Sequence, residues 1–165
     1  MRSAVVLAGG YSTRFRDSDK ATAELDGAPL VHRIAECVAP AVDEILVNCR
    51  EEQCEDIAAA LAAVRHRLAV DPVPDGGPVA GIRTGCRIAR GRWTFVVACD
   101  MPFVRAGLAN RLFDAADGDG AVPRIDGRSR PLAAVYHTHA VVAAADRALH
   151  AGSGAVFDLL DTCRS

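Results

Sequence analysis

A chain of 165 residues, half of them hydrophobic, is long enough for one domain with a full apolar core and short for two, so a single domain over residues 1–165 is expected. The formal net charge of −2 supplies no basic field, which argues against nonspecific nucleic-acid binding. No apolar run approaches the ~20 residues that cross a bilayer, and the opening MRSAVVLAGG meets glycine too soon for a secretory signal, so no membrane partner is expected and the cytoplasm is the expected location.

In chain order, short β-branched runs alternate with Ala-rich segments of helical spacing. A strand is predicted at about Ala4–Leu7, then a helix over Pro29–Ala39 in which Leu30, Ile34 and Val38 recur every four residues and make one face apolar. Next come a strand over Glu44–Asn48, a helix over Glu51–Val64, a strand over Arg67–Val70 and a helix over Val79–Ala89. Pro29 and Pro78 stand where helices begin, a place where a missing N–H costs nothing. The run Trp93–Cys99 reads as a strand, Ala106–Ala116 as a helix, Gly120–Pro123 and Leu132–Tyr136 as strands, and Thr138–Leu149 as a helix. These strands are continuous apolar runs rather than alternations, as strands covered on both faces are. The expected fold is therefore α/β, a mostly parallel sheet between two helical layers.

The six cysteines, Cys37, Cys49, Cys54, Cys86, Cys99 and Cys163, form no CxxC pair and have no histidine at zinc-ligand spacing. They read as small buried hydrophobes, with Cys49 and Cys54 as a candidate redox pair across a strand-to-helix turn. No Ser-His-Asp or Cys-His arrangement is evident, and the five histidines fall into no ligand pattern.

The strongest chemical signal is Val5-Val6-Leu7-Ala8-Gly9-Gly10-Tyr11-Ser12-Thr13-Arg14-Phe15, followed by Asp19-Lys20. A buried strand that runs into two glycines lets a phosphate approach backbone N–H groups. Arg14 adds a planar fork of donors and Lys20 a mobile ammonium, so the segment can bind a chain of phosphates. It is neither GxxxxGK[ST] nor GxGxxG. Further along, Asp100 follows the apolar strand Thr94–Cys99 and precedes Met101-Pro102, where proline turns the chain out of the sheet. A carboxylate at the carboxyl end of such a strand is a hard oxygen ligand suited to Mg²⁺. Asn48 ends another strand, where open parallel sheets bind their ligands.

LAGGYSTRF…DK resembles the LAGGxSxRMGxxDK signature of the MobA family, the molybdenum cofactor guanylyltransferases. DGAPLVHRI, EILVNCR, DPVPDGGPVAGI, VACDMPF and RPLAAVYHT match the family in order. The resemblance implies a Rossmann-like three-layer α/β/α sandwich of the nucleotide-diphospho-sugar transferase type. It also implies Mg²⁺-dependent transfer of GMP from GTP to the phosphate of molybdopterin, giving the guanine dinucleotide cofactor and pyrophosphate.

By position, Leu7, Ala8, Gly9, Gly10, Asn48 and Asp71 would contact the nucleotide, Lys20 its phosphates, and Asp100 both nucleotide and metal. Lys20, Arg14 and Asp100 would stabilise charge in the reaction. The attacking phosphate is already largely dianionic near neutral pH, so no enzymic base is required. Asp71 could accept the two adjacent donors of guanine or cap the turn at residues 76–81. Beyond GTP and molybdopterin, the resemblance suggests molybdoenzyme apo-proteins and other cofactor-biosynthesis proteins as partners.

Two features depart from the family pattern. Arg16 stands where the family carries glycine, and no Asn-Thr-Pro segment precedes Ser165, so the family's usual C-terminal segment is expected to be lacking. The competing readings are CTP transfer to molybdopterin, GTP transfer to a cobalamin precursor or sugar phosphate, and a noncatalytic GTP-binding module.

Overall fold

The computed structural model describes residues 1–9, 22, 24, 25, 27–72, 76–101, 103–152 and 156. Its elements in order are β1 (Arg2–Leu7), β2 (Glu24–Leu25), β3 (Ala28–Pro29), α1 (Leu30–Val38), β4 (Glu44–Cys49), α2 (Cys54–Ala60), β5 (Arg67–Val70), α3 (Gly77–Ile88), β6 (Trp93–Ala98), α4 (Ala106–Ala115), β7 (Gly120–Ala121), β8 (Arg124–Ile125), β9 (Arg128–Ser129), β10 (Ala133–His137) and α5 (Thr138–His150). Single 3₁₀ turns lie at Ala39–Ala41 and Glu51–Gln53.

Six strands form one sheet in the order β5-β4-β1-β6-β10-β7. The first four are parallel, and β10 and β7 continue the sheet antiparallel. The apolar runs of the sequence resolve into two buried faces. Ala4, Val6, Val47, Phe95 and Val97 pack with α1 and α4 on one face. Val5, Leu46, Val96, Ala134 and Tyr136 pack with α3 and α5 on the other. Because successive side chains of a strand point to opposite faces, the central strands must be apolar over most of their length, which is the pattern the sequence carries.

Three local details differ from the expectations. The helix expected over residues 51–64 starts as a 3₁₀ turn and its α-helical part is Cys54–Ala60. There Gln53 Oε1 accepts from the Arg50 N–H at 2.8 Å, which tightens the first turn. The strand expected to reach Cys99 ends at Ala98, since Cys99 and Asp100 form a turn closed by Met101 N–H on the Ala98 carbonyl at 3.3 Å. Two short hairpins, β2–β3 and β8–β9, were not anticipated. The β8–β9 turn is an Asp-Gly dipeptide, a strong short hairpin signal, in which Asp126 and Gly127 adopt φ of 53° and 76°, and Gly27 between β2 and β3 has φ 82°.

The edge of the sheet away from the strands' carboxyl ends holds a polar cluster. Ser3 Oγ donates to Glu44 Oε1 at 2.6 Å, and Arg67 lies 2.9 Å from Glu44 Oε2. Burial raises the proton affinity of Glu44, but the hydrogen bonds from Ser3, the Arg90 N–H and Arg67 outweigh it and hold the carboxyl below its ordinary value of 4.5. A depressed carboxyl stabilises the fold fully above its unfolded value and loses that contribution as pH falls through the folded one. Thermal melts should therefore show this contribution being lost as the pH falls below about 4.5. Glu44→Gln should reduce that loss while lowering stability near neutrality.

Candidate functional site

The sheet reverses its growth at β1: the chain moves outward through β4 and β5, then returns to place β6 on the other side of β1. Such a switch point opens a crevice beyond the carboxyl ends of the flanking strands. The register levels those ends, with Leu7 paired to both Asn48 and Ala98. A cleft of about 550 Å³ lies there, lined by Leu7, Ala8, Gly9, Asp71, Asp100 and the start of α3 at Gly76–Pro78 among others. The first residues of a twelve-residue helix thus face the cleft, and a helix N-terminus carries partial positive charge and unpaired N–H groups.

The floor of the cleft is made rigid from both sides. The Leu7 carbonyl accepts from the Cys99 N–H at 3.2 Å, the Ala8 N–H donates to the Asn48 carbonyl at 2.8 Å, and the Asp71 N–H donates to the Cys49 carbonyl at 2.8 Å. Asn48 is 2 % exposed. Its Nδ2 donates to Asp71 Oδ1 at 2.8 Å and to the Ala69 carbonyl at 3.2 Å. Asn48 therefore lies against the cleft wall and aims the half-buried Asp71 carboxylate.

Glycine at two positions is required by space. A Cβ on Gly9 would stand 2.9 Å from Asp71 Oδ2 and 3.2 Å from Asn48 Oδ1. One on Gly81 would stand 2.5 Å from Asn48 Oδ1 and 3.2 Å from a Leu7 methyl. Gly81→Ala should displace Asn48 and cost roughly 1–3 kcal/mol, the usual range for overpacking, read as a fall of several degrees in Tm. It should also weaken nucleotide binding, because Asp71 loses its donor.

Asp100 is exposed at the end of β6. β5 and β6 are three strand spacings apart, roughly 14 Å, whereas Mg²⁺ and Ca²⁺ hold their oxygen ligands at about 2.0–2.6 Å. Asp71 and Asp100 therefore serve opposite ends of the cleft and cannot share one ion. Among the described residues no group of three or more His, Cys, Asp or Glu is gathered for a metal. One exposed carboxylate is compatible with Mg²⁺, which is bound through one or two carboxylates, waters and substrate phosphates rather than by a protein cage.

Gly10, Arg14, Arg16 and Lys20 lie outside the described residues, so the sequence expectations for them stand as expectations. Beneath the loop, Cys49 Sγ and Cys54 Sγ are 3.9 Å apart as two thiols. Burial, and then the neighbouring Cys54 and Asp71, push the Cys49 thiol up to about 12, so it stays protonated and a poor nucleophile near neutral pH. Two residues of the site went unremarked in the sequence, Arg50 and Gln53, whose side chains reach the carbonyls of Gly9 and Ala8. No helix of the described residues is long and apolar enough to cross a membrane.

The profile of the MobA-like NTP transferase domain matches residues 4–162. A Haloferax mediterranei protein named "Probable molybdenum cofactor guanylyltransferase" is 40 % identical over 162 residues, covering 98 % of this chain and 77 % of its own. A Pseudomonas aeruginosa molybdenum cofactor guanylyltransferase is 36 % identical over 141 residues, covering 83 % and 69 %. Among solved structures, the molybdopterin-guanine dinucleotide biosynthesis protein A of Archaeoglobus fulgidus superposes with a TM-score of 0.75 at 25 % identity, covering 96 % of this chain and 78 % of that one. With the cleft at the sheet's switch point and a profile match over nearly its whole length, the chain belongs to the MobA-like NTP transferase family.

Proposed function

We propose that the chain is a guanylyltransferase that passes GMP from GTP to the phosphate of molybdopterin and releases pyrophosphate. The observation that carries the reading is the cleft itself, with the backbone of Leu7, Ala8 and Gly9 along its floor and one carboxylate at each end. Two relatives whose names state this activity, at 40 % and 36 % identity, support it.

In this reading the nucleoside lies at the Asp71 end. Asp71 Oδ1 takes one bond from Asn48, and a carboxylate has about four acceptor sites, so capacity remains for the paired donors on the guanine edge. The triphosphate runs along the loop toward Asp100. Asp100 would hold Mg²⁺, which when bound neutralises charge on the reacting phosphates. The loop amides and the N-terminus of α3 bind the same charge, and we assign Lys20 and Arg14 to it from their place in the motif. Because the attacking phosphate is already an anion, the residues serve by positioning and charge stabilisation rather than by moving a proton. We place the reaction in the cytoplasm.

Calorimetric titration with GTP, CTP and ATP in the presence of Mg²⁺, followed by addition of molybdopterin and a pyrophosphate assay, tests this. GTP-selective binding with pyrophosphate release is expected. Preference for CTP would replace the guanine reading with a cytidylyl one, and GTP binding without release would make the chain a binding module.

A further inference from the structure

Two residues after β4 grip the backbone of Ala8 and Gly9. Gln53 is 2 % exposed, and its Nε2 donates to the Ala8 carbonyl at 2.8 Å while its Oε1 is held by the Arg50 N–H. The Arg50 side chain is 11 % exposed; it donates from Nη1 to the Gly9 carbonyl at 2.6 Å, and its Nε rests on Glu52 Oε1 at 2.8 Å. Two side chains, themselves fixed, thus hold two successive carbonyls of the loop. Neither lines the cleft.

The direction of these bonds has a chemical consequence. In an extended strand the N–H and C=O of one residue point to the same neighbour and alternate from residue to residue. Leu7 points its carbonyl at β6, and Ala8 points its N–H at β4 and its carbonyl to Gln53 on that side. The Gly9 N–H, trans to the Ala8 carbonyl across a planar peptide, is thereby turned to the β6 side, where Asp100 lies. Continued alternation would send the Gly9 carbonyl the same way. Arg50 draws it back toward β4 instead, so the negative end of that dipole is kept off the path of a phosphate chain.

We propose that Arg50 and Gln53 are positioning residues for the polyphosphate: they hold the Ala8 and Gly9 carbonyls behind the loop so that an amide edge, not a carbonyl edge, faces the ligand. This rests on the reading of the cleft as a nucleotide site, though not on the identity of the base. A purely structural clamp would stabilise the fold and treat all parts of the ligand alike. A positioning clamp acts on phosphate binding.

The test titrates wild type, Gln53→Met and Arg50→Gln with GTP and with inorganic triphosphate by calorimetry, and with guanosine by ligand-observed NMR, alongside thermal melts. Each variant should weaken GTP and inorganic triphosphate by roughly tenfold to a hundredfold, the scale of hydrogen bonds to a charged group, and leave guanosine unchanged. Arg50→Lys should restore part of the loss, since an ammonium can still donate to the Gly9 carbonyl. Gln53→Glu should not, since a carboxylate offers that carbonyl no proton. If Gln53→Met does not fold, the more exposed Arg50 pair decides alone. Equal loss for guanosine and triphosphate, or a lower Tm with unchanged triphosphate affinity, would overturn the proposal. A wild type that binds CTP or ATP in preference to GTP sinks the guanine assignment only, because the inorganic triphosphate arm still decides this one; a wild type that binds no triphosphate sinks both.

Discussion

Asp100→Ala should lower pyrophosphate release by roughly 10²–10³-fold, the scale on which a single charge-stabilising group acts in an active site, while the melting temperature stays near that of wild type. The fold should tolerate the change because Asp100 is exposed, lies two residues beyond the end of β6 and belongs to neither buried face. Its carboxylate lines the cleft three strands from Asp71, so Asp71 cannot substitute for it. Asp100→Asn separates charge from shape: the amide keeps the volume and one oxygen but is a much poorer ligand for a hard cation. Both variants should retain nucleotide binding at high Mg²⁺ better than they retain turnover. Steady-state pyrophosphate assays over a Mg²⁺ series check this, and wild-type turnover in Asp100→Ala would remove Asp100 from the reaction.

Gly9→Val should abolish measurable nucleotide binding and also destabilise the chain by roughly 1–3 kcal/mol, as overpacking does. The requirement here is space. A Cβ at Gly9 meets Asp71 Oδ2 at 2.9 Å, Asn48 Oδ1 at 3.2 Å and the Cys49 backbone at 3.5 Å. Asp71 is held by Asn48, and Asn48 is in turn wedged under Gly81, so neither can yield without breaking the wall of the cleft. Valine adds two methyl groups on the surface that a phosphate chain would follow. Calorimetry with inorganic triphosphate and GTP, with a thermal melt as control, measures both effects. Retained affinity with an intact fold would show that the ligand does not pass over Gly9.

Much of this architecture was legible because it is written in local pattern. The apolar runs at Ala4–Leu7, Glu44–Asn48 and Trp93–Cys99 read as strands buried on both faces, and the structure places their alternate residues in two separate cores. The hairpins β2–β3 and β8–β9 were missed, although an Asp-Gly pair at 126–127 carried a hairpin signal. The extent of the helix at 51–64 was harder, because the Gln53 side chain competes for the backbone of its own first turn. Spacing alone does not show which backbone group a glutamine will take.

The sequence by itself determined the layered α/β fold, the parallel heart of the sheet and the position of a glycine loop, Asn48, Asp71 and Asp100 at strand ends, because each follows from continuous apolar runs, from a helical period near four or from a residue type beside a strand. Only the tertiary structure decided what each of those groups does to the others. Asn48 and Asp71 are 23 residues apart, yet the amide of one aims the carboxylate of the other. Arg50 and Gln53 reach back 41 and 45 residues to the loop carbonyls. Such pairs arise when β1, β4 and β5 come into register, and directional hydrogen bonds between distant segments leave no period in the chain.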